Sequence, residues 1–76
     1  MPSTLDQLRT GQRAKIAAIS AQGALAQRLM EMGLLEGEVV EIVGFAPLGD
    51  PMEIRLSDYR LSLRRQEAAC IQVNPL

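Results

Sequence analysis

Histidine is missing from this chain of 76 residues, cysteine occurs once, tryptophan is absent, and Phe45 and Tyr59 are the only large aromatic residues. With Cys70 alone and no imidazole, an intramolecular disulfide is excluded and the usual zinc ligand sets cannot be assembled within one chain. The same absences remove the Ser/His/Asp and Cys/His constellations of nucleophilic catalysis, and no glycine-rich phosphate loop replaces them. The chain therefore reads as a non-enzyme without a cofactor. Two aromatic residues are too few to line a groove for proline-rich peptides. Charge of one sign is also missing: eight basic and nine acidic residues leave a formal charge of −1, which gives phosphate backbones and anionic lipid no general attraction and argues against nucleic-acid binding. No window approaches the roughly 20 apolar residues of a membrane span, and the N-terminus has neither a basic flank nor an apolar core. The expected location is a reducing cytoplasm, with no direct membrane insertion.

What the sequence does have is aliphatic: 47% of its residues are hydrophobic, nearly all of them Leu, Ala, Val, Ile or Met. A chain of this size holds one core, so residues 1–76 are expected to form one domain. Stability should be roughly 4–11 kcal/mol at the usual per-residue values.

The most informative stretch runs from Arg28 to Pro51, where a helix ends, a strand opens and a stiff loop follows. Upstream, Thr4 and Gln7 stand at capping-box spacing around Leu5 and Leu8, which predicts a short helical turn under a barrel. Residues Arg13–Ser20 alternate in part and predict a strand that buries Ile16 and Ile19. Ser20 is the expected cap of a helix reaching Met32, with Leu25, Leu29 and Met32 on its core face. Gly33 follows where a left-handed helix end is wanted. Beyond Gly37 come strands at Glu38–Phe45, Met52–Leu56, Tyr59–Arg64 and Cys70–Asn74. Only Ser57 and Asp58 separate the middle two, which makes them a hairpin. Strands with one apolar face and a single inserted helix must curl to bury that face. The fold class is mainly β: a small five-stranded barrel with one inserted α-helix.

In order and composition the chain resembles the FeoA family of small ferrous iron transport proteins. The resemblance is carried by Leu5, Gly11 and Ile16; by Arg28-Leu29 with Met32-Gly33-Leu34 and Gly37; by the loop Ala46–Pro51; and by Leu61–Arg64, Glu67-Ala68 and Ile71–Val73. Glu36 stands where family members often have proline. The resemblance implies an SH3-like barrel that acts as a cytoplasmic accessory protein of ferrous iron uptake, in contact with the cytoplasmic, GTP-binding part of the membrane iron transporter. The family is also similar to the C-terminal barrel of iron-dependent repressors, which implies a rival reading as a transition-metal-binding or corepressor-type barrel. A chain beginning at Met1 is expected not to carry the DNA-binding domain a repressor needs.

Candidate contact residues follow from exposure and stiffness. Met30 points away from the Leu25–Leu29–Met32 stripe and, with Leu34 and Leu35, is expected to form a partner-binding patch. The loop Pro47–Pro51 has two prolines and Gly49, so Pro47, Leu48 and Asp50 are pre-ordered for contact, with Asp50 expected to brace its own turn. Tyr59 is a further contact candidate, and Phe45 and Cys70 are expected to fill core. Glu31, Glu36, Glu38 and Glu41 lack the spacing of a calcium loop and read as a solvated face, so no metal site is assigned. Arg55, Arg60, Arg64 and Arg65 make the hairpin region locally basic. Edge strands of such a sheet can pair with a second chain, so a homo-oligomer is compatible with the sequence.

Overall fold

Alternation of apolar and polar residues drives the chain into antiparallel strands whose inner faces close on one core. The computed structural model describes residues 3–76. Its elements are β1 (Ser3–Thr4), a 3₁₀ turn (Leu5–Gln7), β2 (Arg13–Ile19), α1 (Gly23–Glu31), β3 (Val39–Phe45), β4 (Met52–Leu56), β5 (Tyr59–Leu63), α2 (Arg65–Ala68) and β6 (Ile71–Pro75). The sheet runs β1-β6-β2-β3-β4-β5. Ala14 and Ile16 of β2, Val40 and Ile42 of β3, Met52, Ile54 and Leu56 of β4, Leu63 of β5 and Ile71 and Val73 of β6 are buried together. Leu5 and Leu8 close the core beside the 3₁₀ turn, as the sequence predicts.

The mainly β barrel with its inserted helix matches the sequence reading, with four differences. The sheet has six strands because Ser3 and Thr4 pair with Val73 and Gln72. Two residues make no periodic signal, so β1 was invisible to pattern. The first helix starts at Gly23 and not after Ser20. Ser20 is engaged elsewhere: its N–H donates to the Cys70 carbonyl at 2.6 Å and its hydroxyl accepts from Gln72 Nε2 at 3.0 Å. The hydroxyl of Thr4 donates to the Asp6 carboxylate and caps nothing. Finally, a four-residue helix, α2, joins β5 to β6; the Glu67 carboxylate accepts from the Arg64 N–H at 2.9 Å and holds its first turn.

Bulges explain the imperfect alternation. Register shifts between Ile16 and Ala18 on the β2–β6 side and between Ile42 and Gly44 on the β3–β4 side. Each extra residue bends its strand and increases the twist that curls a sheet, and Ile19 is consequently only half-buried. Cys70 also departs from expectation: it is half-buried in the turn before β6, with its thiol donating to the Gln66 carbonyl at 3.6 Å.

In the hairpin, Leu56 pairs with Tyr59 across Ser57 and Asp58. Ser57 sits at φ +56°, where a Cβ is costly. Ser57→Gly is therefore expected to stabilise the protein by about 0.5–1 kcal/mol, raising the thermal midpoint by about 2–6 °C. A midpoint that falls would show that the serine side chain contributes more than its backbone strain costs.

Candidate functional site

Helix α1 presents two faces. Leu29 is fully buried, with Leu25 and Met32 packed against the core, as the 3.6-residue period requires. Ala26 and Met30 lie one turn apart beside that stripe, so they stand on a flank of the helix and not on its outermost face. There they line an apolar groove of about 350 Å³ with Ile19, Ala21, Leu34, Leu35 and Glu36. The helix supplies one wall, and the end of β2 and the segment after the helix supply the others.

This groove brings Met30, Leu34 and Leu35 together as the sequence suggested, but in different roles. Met30 is 54% exposed and Leu35 46%, whereas Leu34 is fully buried. Leu34 is corrected from a surface contact to the floor of the groove. Its N–H donates to the Leu29 carbonyl at 3.1 Å across the helix end, turning the side chain inward. Of the remaining lining residues, Ala26 was missed in the sequence, although its four-residue spacing to Met30 is the signal that places it on the same flank. Ile19 was expected in the core and Ala21 was not marked, because the β2 bulge and the chain path after it set their direction.

The helix end is locked by a contact between distant residues. Gly33 adopts φ +93°, and the Tyr59 hydroxyl donates to the Met32 carbonyl at 2.8 Å. A Cβ on Gly33 would collide with that hydroxyl and lie 3.1 Å from Leu56 Cδ2. Tyr59 thus joins the hairpin to the edge of the groove while remaining 43% exposed.

Pro47, Leu48 and Asp50 stand apart from the groove, whose lining includes none of them. Leu48 is 96% exposed at the loop tip. The Gly49 N–H donates to the Ala46 carbonyl at 2.7 Å, the Ala46 N–H donates to the Pro51 carbonyl at 2.9 Å, and the Asp50–Pro51 peptide is cis. Asp50 does not brace its own turn: its carboxylate accepts from the Arg65 N–H at 3.0 Å, capping α2 from 15 residues away. Arg65 also donates to the carbonyls of Asp6 at 3.1 Å and Gly49 at 3.4 Å, and its guanidinium lies 5.4 Å from the centre of the Phe45 ring. The sequence placed Arg65 in a basic patch; the structure makes it the clamp that holds the loop.

Across the outer face of the sheet, Arg55 donates to Glu41 at 2.7 Å. This hydrogen bond, with Arg13 nearby, holds the Glu41 carboxyl below the usual carboxylate range and raises the Arg55 guanidinium. Because the folded pKa is depressed, the pair's contribution is complete above the unfolded glutamate's pKa and is lost as pH falls through the folded one. Glu41→Gln should therefore lower the thermal midpoint slightly at neutral pH, with the deficit vanishing in acid and shrinking in high salt. A deficit independent of pH would show that the charge is irrelevant.

Fold and surface together define a small SH3-like barrel with an apolar groove beside its helix and a braced loop. Among the described residues no group of three or more His, Cys, Asp or Glu converges, and no helix is long and apolar enough to cross a membrane. Residues 3–75 match the FeoA domain, and the chain belongs to the FeoA family. It is 42% identical over 69 residues to the Fe(2+) transport protein A/Fe(2+) transporter FeoB fusion protein of Porphyromonas gingivalis; the match covers 91% of this chain and 8% of that protein. The FeoA-like protein of Clostridium acetobutylicum is 35% identical with a TM-score of 0.92, covering 99% of this chain and 87% of that one. FeoA of Stenotrophomonas maltophilia, a procaryotic SH3 domain protein solved with zinc, is 32% identical with a TM-score of 0.82, covering 93% of this chain and 88% of that one. A manganese-dependent transcriptional repressor shares the fold at 18% identity and a TM-score of 0.91, with 99% of this chain and 37% of that one covered.

Proposed function

We propose that this chain acts as one domain, a non-catalytic accessory of ferrous iron uptake that works by protein contact on the cytoplasmic, GTP-binding part of a membrane iron transporter. The observation that carries this reading is the fusion protein of Porphyromonas gingivalis, in which a segment 42% identical to this chain shares one polypeptide with FeoB. Joining two modules raises the effective concentration of one at the other to about the millimolar level, which favours modules that touch. Met30 and Leu35 at the groove, Tyr59 beside it, and Pro47, Leu48 and Asp50 at the loop are the proposed contact residues. The reading assigns the chain no metal and no cofactor.

Titration of the protein into the cytoplasmic part of the cognate transporter, with and without guanine nucleotide, tests it by heat and by GTP turnover. Saturable binding or altered turnover is expected. Met30→Glu should weaken that binding by about tenfold or more, the effect of losing one central apolar anchor. Because Met30 is 54% exposed, the thermal midpoint should move only a few degrees. Unfolding of Met30→Glu would make Met30 core, and unchanged affinity would move the contact to the loop, where Leu48→Asp is the matching variant. Absence of both heat and altered turnover would sink direct contact with that part of the transporter.

A further inference from the structure

Strand β5 ends the sheet, with β4 on one side and, among the described residues, no strand on the other. In a two-residue hairpin the residues that close the turn form a hydrogen-bonded pair, and such pairs alternate along the ladder. Leu56–Tyr59, Ile54–Leu61 and Met52–Leu63 are therefore the bonded pairs. The N–H and C=O groups of Arg60 and Ser62 consequently point away from β4, and neither residue has another backbone partner among the described residues. Both are exposed. An unpaired row of this kind is a template for one more strand.

The side chains along that edge select its occupant. Strand register sets Arg13 beside Glu41, Glu41 beside Arg55, and Arg55 beside Arg60 on the outer face. Glu41 is bonded to Arg55 at 2.7 Å, so Arg60 is left at the edge with only Glu53 at 3.8 Å. Ser62 continues the same outer row; Arg64, one residue past the end of β5, keeps an extended backbone, gives its N–H to Glu67 as the N-cap of α2, and among the described residues has no ion-pair partner within 4.0 Å. On the inner face Leu61 is half-buried and Leu63 buried, so the core surface continues to the edge. A second copy fits poorly: pairing centred on Ser62 opposes Arg60 to Arg64 of the other copy, and pairing centred on Arg60 opposes two arginines. Like charges directly across a ladder are destabilising.

We infer that the free edge of β5 is a docking site for an extended acidic segment of a partner protein, which adds as an antiparallel strand. Acidic residues four apart in that segment meet Arg60 and Arg64, the residue midway between them faces Ser62, and the two intervening apolar residues extend the inner face past Leu61. This assignment stands on the edge itself and not on the transporter's identity.

The probe is a blocked peptide, Thr-Glu-Val-Thr-Val-Glu-Thr, titrated into ¹⁵N-labelled protein up to about 5 mM, in the range of weak strand pairing. Saturable shifts confined to Arg60–Arg64 and the facing β4 amides, with slowed amide exchange at Arg60 and Ser62, are expected. The same peptide with lysine for glutamate should bind at least about tenfold more weakly, as should R60E/R64E protein. Ser62→Pro removes an outward N–H, a substitution edge strands tolerate, and should abolish binding while leaving distant amide shifts in place. No saturable shift, equal binding of the lysine peptide, shifts centred on Met30 and Leu35, or a dimer paired through β5 would each overturn the inference. None of these readouts involves the transporter, so silence here leaves the transporter reading standing, and the converse holds.

Discussion

Gly33→Ala should destabilise the protein by about 2–4 kcal/mol, the largest loss expected from adding a Cβ at any of its glycines. The first part is backbone: a residue with Cβ pays about 1–2 kcal/mol for the left-handed conformation, and Gly33 sits at φ +93°. The second part is steric, since the new methyl would collide with the Tyr59 hydroxyl and crowd Leu56 Cδ2 at 3.1 Å. Moving Tyr59 aside breaks its hydrogen bond to the Met32 carbonyl, worth about 0.5–1.5 kcal/mol. Of a total of roughly 4–11 kcal/mol, that loss is a large share, and the thermal midpoint should fall by about 8 °C or more. Tyr59→Phe supplies the control. By vacating the space above Gly33 it should make the double variant less damaged than the sum of the singles. Strict additivity would show that the collision is relieved by other means and that backbone conformation alone sets the cost.

Glu67→Ala is the second large loss, at about 2–4 kcal/mol. The Glu67 side chain is only 7% exposed and has two partners: the Arg64 N–H at 2.9 Å and the Arg28 guanidinium at 2.9 Å. It therefore caps α2 and ties α1 to it in one carboxylate. Removing it leaves the Arg64 N–H without that acceptor and opens a gap beside Ala68, which is fully buried. Arg28, with 62% of its side chain exposed, returns to water at little cost. Glu67→Gln retains an oxygen for the Arg64 N–H but loses the charge that holds Arg28, so denaturant unfolding should rank wild type above Gln and Gln above Ala. Equal loss in both variants would assign the whole effect to the ion pair.

The two expectations differ in how visible they were. Gly33 after a periodic helix is a local signal, and the left-handed turn followed from it without any knowledge of the rest of the chain. That Tyr59 would close over the turn was not local: 26 positions separate the two residues, and only the curl of β4 and β5 brings them together. Glu67 was one residue among the matched family positions, yet nothing near it in sequence announces Arg28. The helix α2 was missed for a related reason. Four residues complete one turn and show no repeat, and the acceptor that caps its first N–H, Asp50, comes from a loop 15 residues upstream.

The candidate surface divides in the same way. Met30 and Leu35 were legible as exposed apolar residues because helical period and a following glycine mark which side chains leave the core. Leu34 was not, because the direction of a residue after a helix end depends on how the chain turns there. Composition and alternation by themselves determined the class of fold, the absence of an imidazole or disulfide chemistry, the helix end at Gly33 and the β4–β5 hairpin. All of these depend on residues close together in the chain. Tertiary structure alone decided that Asp50 caps α2, that Arg65 clamps the loop, that Leu34 floors the groove and that the β5 edge stays open. Each of those rests on contacts between segments far apart in sequence, whose meeting is set by strand register and barrel curvature and leaves no periodic trace in either segment.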